Sequence, residues 1–537
     1  MVEIPQLLSS STPELYLKLA VAGSLLVLLL LLLNLPSSRG ARRKSSSSSS
    51  SSGSSSSSSP PLPPGPRGWP IIGNLLDVGT VPHEGMMKLT RAYGPLVYLR
   101  LGAIPHVVSD DPAIIKEFLK IQDHIFASRP GNVILAELLT YGGKDIGFAP
   151  YGAHWRNMRK ICTLELFSAK SVDSFQRLRR MEMIHTLGLI LDAAVDRRAV
   201  DLRDAFNGLT SNMMTRMLLG KRYFGPGDPG PEVGAELKAM IAEGILMMNG
   251  FNISDYLPFL RFLDLQGQER RMKQIMRHID GLATALLLEL APRIGKKPES
   301  FVDILVNLRG ENGEPHLPED VMKAVMVDMM AAGTDTPGVS CEWAMAELLR
   351  DPALLARVRE EVDRVVCVDR LVDESDLAHF RLLRAVLKES FRLHPVGAIL
   401  IPHLAMEDAV VAGYGIPKDT RVLINVFALN RNAQVWERPH EFDPERHLRG
   451  LGEGAVVEFG DPECRLIPFG SGRRMCPAAS LGLTMVLLAL ANLVHAFDWE
   501  VPANLSMERA PGKMVKAQAL TALARPRLPR HLYSQQI

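Results

Sequence analysis

A mainly helical domain with small β-sheets, standing behind one N-terminal membrane helix, is the fold class this sequence predicts. Three observations carry it. Residues Leu15–Leu35 are almost unbroken apolar sequence. A serine tract and then a proline-rich run follow. From there to residue 537, apolar residues recur mostly at three- and four-residue spacing, with no second linker. Charge adds an exclusion, because 61 Lys+Arg against 59 Asp+Glu leave a net +2, without the basic surplus that nucleic acid demands. Charged residues at 22% and hydrophobic residues at 47% exclude a wholly disordered chain. The five cysteines, Cys162, Cys341, Cys367, Cys464 and Cys476, contain no CxxC pair, which argues against a disulfide scaffold or a zinc cluster and for a reducing compartment.

Residues 1–44 read as an anchor with a basic stop. Twenty-one residues at helical rise span roughly 32 Å, enough for a hydrocarbon core. Lys18 sits where its stem can snorkel to the headgroups. Glu3 and Glu14 precede the run, while Arg39, Arg42, Arg43 and Lys44 follow it, so the C-terminal side is expected in the cytosol. A cleaved signal peptide has the opposite charge order and a shorter apolar run. Residues 45–59 are serine except Gly53 and cannot bury apolar area, so they form a tether. The run Pro60-Pro61-Leu62-Pro63-Pro64-Gly65-Pro66 is a stiff hinge. Residues 67–537 remain as one body.

In that body the spacing predicts helices over Ala113–Gln122, Ala153–Glu165, Ser171–Asp196, Ala235–Met248, Gln268–Leu290, Glu319–Leu349, Leu355–Val366 and Ala479–Ala496. Strands are expected at Leu96–Leu101, His106–Ser109, Val410–Ala412 and Thr420–Asn425. No internal repeat is present.

The strongest local signal is Phe469-Gly-Ser-Gly-Arg-Arg-Met-Cys476, which leads into the apolar helix. A lone cysteine is usually a small core hydrophobe. This one stands on a Gly-rich loop before a helix N-terminus, where backbone N–H groups are expected to stabilise a thiolate. Gly470 and Gly472 allow close approach of the backbone to a flat ligand, and Arg474 places a fixed positive charge near the sulfur. The run resembles the haem-thiolate signature FxxGxRxC of the cytochrome P450 family. Glu389-Ser390-Phe391-Arg392 resembles the family's ExxR motif, and Pro444-Glu445-Arg446-His447 its PERF motif. Glu389 and Arg392 share one helix face, and the resemblance implies that Arg446 completes a structural triad bracing the haem loop. Ala332-Gly333-Thr334-Asp335-Thr336 is similar to the oxygen-binding AGxDT. Gly333 would then leave room above the iron, with Asp335 and Thr336 relaying protons. Pro337 lacks an N–H for the Gly333 carbonyl, so a local opening of the helix is expected there. Trp155 and Arg159 match WxxxR, which implies contacts to haem propionates, and His403 stands where many relatives put a propionate-binding arginine. Arg156 and Lys160 add charge suited to an acidic electron donor. Two departures are Ala478 in place of glycine two residues after Cys476, and His447 in place of phenylalanine.

The resemblance implies a single cytochrome P450 fold holding heme b, with axial thiolate Cys476. It implies O2 as co-substrate and electrons from NADPH through NADPH–cytochrome P450 reductase. The reaction expected is insertion of one oxygen atom into a C–H bond of an apolar small molecule. Pro63–Pro66, Tyr93–Leu96, Phe126–Pro130 and the anchor look like a plant enzyme of the endoplasmic reticulum membrane, single-pass, with its catalytic domain cytosolic. Thr215–Gly225, Asp255–Pro258, Glu342–Glu347, Ile401–His403 and Arg527–Tyr533 resemble the fatty-acid in-chain hydroxylases of pollen and spore wall (sporopollenin) synthesis, which implies a medium-chain fatty acid. Flavonoid and phenolic ring hydroxylases share several of these stretches and stand as the alternative. A haem-thiolate isomerase or dehydratase is disfavoured by the acid–threonine pair. A non-catalytic membrane-anchored haem binder is the rival from another class. Substrate contacts are expected from Gly131–Phe148, Leu246–Phe251, Asp328–Gly333 and Val396–Ile401.

Overall fold

A computed structural model of the chain describes Gly23 and residues 60–534, apart from 132, 225–238, 241–242, 245, 248–249, 291–294, 310–313, 315, 453–454 and 502–504. The anchor at Leu15–Leu35, the serine tract and much of the helix expected at Ala235–Met248 lie outside the described residues.

Among the described residues, the helices of eight residues or more are α1 (Pro82–Tyr93), α2 (Ala153–Ile161), α3 (Gln176–Val195), α4 (Leu202–Leu219), α5 (Gln268–Leu290), α6 (Glu319–Arg350), α7 (Pro352–Val365), α8 (Arg381–Leu393) and α9 (Ala479–Ala496). The helix expected over Ala113–Gln122 begins as an α turn at Pro112–Lys116, capped by the Asp111 carboxylate, and finishes as a π turn at Glu117–Ile121. A second π turn, Cys162–Leu166, extends α2. The helix expected over Ser171–Asp196 is broken at Phe175. That ring leaves the helical path to pack edge-on against Phe301 at 4.8 Å, and burial of the aromatic outweighs local continuity.

The strands are β1 (Leu96–Leu101), β2 (Ile104–Ser109), β3 (Val200–Asp201), β4 (His403–Leu404), β5 (Ala409–Val411), β6 (Tyr414–Ile416), β7 (Arg421–Ile424), β8 (Phe497–Glu500) and β9 (Thr521–Pro526). They form a four-stranded sheet in the order β1-β2-β7-β4, a three-stranded sheet β3-β9-β8 and the hairpin β5-β6. β2 and β7 run parallel, with His106 opposite Arg421, while β4 pairs antiparallel with β7 and brings His403 opposite Val422.

The main core gathers around α6 and α9, apolar on nearly every side and therefore interior helices. α9 is long and apolar enough to cross a membrane, but most of it is buried inside the protein. Along α6 the burial has a gap. Ala332 and Thr336 are exposed and Asp328, Asp335 and Val339 only half-buried, spacings that place all five on one face. The opposite face is clamped by α4, where Thr210 Oγ1 donates to the Thr334 carbonyl at 2.7 Å.

Candidate active site

The loop before α9 is shaped by two glycines in the left-handed region, Gly470 at φ 71° and Gly472 at φ 67°. A Cβ on Gly472 would also run into the Leu119 carbonyl of the first π turn, so only glycine fits there. Cys476 N–H closes the loop onto the Phe469 carbonyl at 2.9 Å. Phe469 is itself fixed edge-on to Phe391 of α8 at 5.6 Å. Cys476 is left half-buried. Here the sequence expectation needs correcting: burial pushes the Cys476 thiol up, and the Ala478 N–H and the Arg159 charge only partly offset it. The loop alone does not make a thiolate, because removing the sulfur from water costs more than one N–H and one cation return. A metal ion on the sulfur would supply the missing charge.

Around this loop gathers a set of cationic and N–H donors. Arg474 lies over the Trp155 ring at 4.2 Å, and its Nε donates to the Ala127 carbonyl at 2.6 Å. Arg474 also reaches the carbonyls of Ile146 and Ala149. Trp155 Nε1 donates to Ile146 O at 3.1 Å, and Arg159 to Met475 O at 2.5 Å. Arg129, in the stretch Phe126–Pro130 and not expected at the site, belongs to the same wall. It is 5% exposed, with Nη1 on the carbonyls of Ile401 at 2.7 Å and Pro402 at 3.0 Å. His403 differs from expectation. Burial and the charges of Arg129 and Arg474 hold its pKa well below the ordinary range. Its Nδ1–H is directed to the Phe126 carbonyl at 2.8 Å, so in this neutral state Nε2 has no proton to offer a carboxylate. Arg129 is the cation at that wall.

On α6, Thr336 Oγ1 donates to the Ala332 carbonyl at 2.6 Å, and the two residues form the exposed part of the stripe. Gly333 does not. A Cβ there would collide with the Met214 methyl of α4, so the notch is a packing seat on the far side of the helix. The room expected at Gly333 is found instead over Ala332. Nor does α6 open at Pro337: it stays helical from Glu319 to Arg350. The adjoining turns are held by Thr336 on Ala332 O, by Ser340 on Thr336 O at 2.8 Å and by Thr210 from α4 on Thr334 O. One turn before Ala332, Asp328 Oδ2 accepts from the amides of Ile146 at 3.0 Å and Gly147 at 3.1 Å. Its charge also bears on the Cys476 thiol.

Behind the loop, Glu389 is fully buried and accepts from five donors. Arg392 gives two bonds at 2.9 and 2.7 Å, Arg446 one at 3.0 Å, the Asp443 amide one at 3.0 Å and His447 Nε2 one at 2.8 Å. Burial alone would raise its pKa, but the bonds from His447 and Arg392 outweigh that and hold it down to about 2. Arg392 spends its remaining N–H groups on the carbonyls of Asn430, Pro439 and Glu441. His447, a departure from the family motif, is a direct partner of the triad.

Among the described residues no three His, Cys, Asp or Glu side chains gather as a metal site. The loop thus offers a metal one sulfur, and the other ligands must come with a macrocycle. Arg129, Arg474, Arg159 and the Trp155 N–H, all now bound to neutral carbonyls, are donors suited to its carboxylates, and the stripe at Ala332 and Thr336 leaves the opposite side uncovered. These residues fit a haem.

Comparison with known proteins agrees. Residues 63–523 match the family model described as Cytochrome P450. The chain is 41% identical to Cytochrome P450 703A2 of Arabidopsis thaliana over 480 residues, covering 88% of this chain and 94% of that protein. It is 40% identical to a Flavonoid 3'-monooxygenase of Petunia hybrida, covering 88% and 93%. Among solved structures, a zebrafish cytochrome P450 with abiraterone superposes with a TM-score of 0.69 at 28% identity, covering 83% of this chain and all of that one. Members of this family use a haem with a cysteine thiolate, O2 and a redox partner that supplies electrons. The fold, the single-cysteine loop and the matched length lead to one identification: the chain belongs to the cytochrome P450 family and is a monooxygenase.

Proposed function

We propose that the enzyme hydroxylates a medium-chain fatty acid within its chain, with Cys476 as the residue that would hold the iron of heme b. The observation that carries the site assignment is the uncovered stripe at Ala332 and Thr336, in the middle of an otherwise buried helix and one turn from Asp328, whose charge reaches the Cys476 thiol. When bound, the haem supplies the activation of O2, with the second oxygen atom leaving as water. The chain supplies the rest. Arg474, Arg159, Trp155 and Arg129 hold the propionates, with His403 beside them. Thr336 Oγ1 and Asp335 pass protons toward the oxygen, and Ala332 leaves the room it needs. Phe469 and Gly470 shape the loop, while Glu389, Arg392, Arg446 and His447 keep it in place. Val396–Ile401, apolar throughout, is suited to an aliphatic chain, and the apolar residues Ile134, Leu135, Leu138 and Leu139 of Gly131–Phe148 would add to it.

The fatty-acid reading rests on the resemblance of Thr215–Gly225, Asp255–Pro258 and Arg527–Tyr533 to the in-chain hydroxylases. The likeness to a Flavonoid 3'-monooxygenase supports ring hydroxylation as the second reading. Residues 67–537 form the catalytic domain, held at the cytosolic face of the endoplasmic reticulum by residues 1–44 through the 45–66 tether, with NADPH–cytochrome P450 reductase as electron donor. The exposed side chains of Arg156 and Lys160 supply basic charge for that donor. The deciding experiment is incubation with reductase and NADPH, comparing lauric acid with a flavanone. Hydroxylated lauric acid is the expected product. Turnover of the flavanone alone transfers the assignment to the second reading, and no NADPH consumption with either substrate supports the non-catalytic haem binder.

A further inference from the structure

The segment Asp145–Ala149 is held from both sides. Arg129, Arg474 and Trp155 take its carbonyls, and Asp328 of α6 takes the amides of Ile146 and Gly147. Asp145 Oδ2 caps the same turn by accepting from the Phe148 amide at 2.7 Å. Two carboxyl groups therefore converge on one small volume. A methyl placed on Gly147 would stand 3.2 Å from Asp145 Oδ2 and 3.4 Å from Asp328 Oδ1. Asp145 is fully buried, and its other oxygen, Oδ1, has no hydrogen-bond partner. Two ionised carboxylates here would combine like-charge repulsion with an orphaned buried acceptor. One proton between them removes both costs.

We propose that Asp145 and Asp328 share a single proton and together form a latch that pins Ile146–Phe148, one wall of the space beside Cys476, to helix α6. Burial and the Asp328 charge push Asp145 well above the ordinary carboxylate range, and burial raises Asp328 as well. The other charged or titratable groups around the pair are Arg129 and Arg474, the Cys162 and Cys476 thiols with Arg159 beside them, and Lys144, which is paired with Asp320. Arg129 and Arg474 favour a single negative charge on the dyad and so suit a half-protonated pair. The shared proton is the last to leave the dyad and is held above the ordinary carboxylate range, so the latch weakens as pH rises through that upper step. Asp145 and Asp328 are positioning residues. The latch itself does not depend on the substrate assignment; only its consequence for substrate does.

The test is amide hydrogen exchange of the 145–149 segment in the ferric holoenzyme, corrected for intrinsic exchange and compared at about pH 6.5 and about pH 9, a range that spans buried carboxyl titration. In the wild type, protection of Ile146 and Gly147 should fall about tenfold or more, the change expected for loss of one proton over a pKa unit. In Asp328→Asn the side-chain amide stands in permanently for the shared proton, so protection should persist at both pH values. In Asp145→Ala it should be lost at both. If Asp145→Ala does not accumulate, Asp145→Asn replaces it and should behave like Asp328→Asn. Wild-type protection that stays flat across the range, or an Asp328→Asn protein as open at both pH values as Asp145→Ala, overturns the proposal.

Discussion

The two walls that meet at Cys476 handle buried charge in opposite ways. Behind the loop, one carboxylate, Glu389, is saturated by five donors from α8 and the 443–447 turn. On the α6 side, two carboxylates, Asp145 and Asp328, converge with an oxygen left over. The first arrangement is rigid because every donor already has its acceptor, and breaking it strands a buried charge. The second depends on a proton and so can respond to conditions. A haem enzyme needs both, since the sulfur must not move whereas substrate has to enter and leave the opposite side.

Breaking the rigid wall should have the largest effect. Glu389→Ala leaves Arg392 buried and without its counter-charge, and should cost about 3–5 kcal/mol in chemical denaturation, with loss of bound haem. The sign of the pH dependence follows from the depressed pKa. The Glu389 contribution is present above the ordinary carboxylate range and is lost as pH falls toward about 2. The stability gap between wild type and Glu389→Gln should therefore narrow on acidification, and a gap that widens contradicts the network. Next comes His447→Phe, which removes one charge-assisted bond and should cost about 1.5–3 kcal/mol by the same measurement. A value near zero would mean that His447 only fills space.

On the α6 wall the readout changes from stability to coupling. Thr336→Ala should divert turnover to hydrogen peroxide, lowering product per NADPH by about tenfold, equivalent to about 1.4 kcal/mol, while leaving folding intact. Unchanged coupling removes the proton role of Thr336. The smallest effect is expected for Gly333→Ala, about 1 kcal/mol of overpacking against the flexible Met214 side chain. Met214→Ala in the same chain should return most of it. A Gly333→Ala protein that keeps its stability but loses oxygen binding would instead place Gly333 on the open face.

What sequence could convey differs along the same divide. The order of Trp155, Thr336, Glu389, Arg446 and Cys476 along the chain was legible because each sits in a motif with fixed spacing. Strand β1 and helices α5 and α9 were legible because their apolar periodicity is uninterrupted. The break at Phe175 and the first π turn were not, since they depend on an aromatic partner in Phe301 and on a carbonyl pressed against Gly472. Gly333 and Pro337 misled for a related reason. Their local chemistry suggests room and an opening, but Met214 and Thr210 arrive from another helix and fill or brace both places. The bond from His447 to Glu389 and the Asp145–Asp328 pair were not legible, because each acquires its meaning only from a partner distant in sequence.

Cys476 as the one protein ligand of the iron is tested most directly by the ferrous–carbon monoxide spectrum of the wild type and of Cys476→Ser. Wild-type protein should give the thiolate-type band and Cys476→Ser should lose it. Persistence of that band in Cys476→Ser would contradict the account.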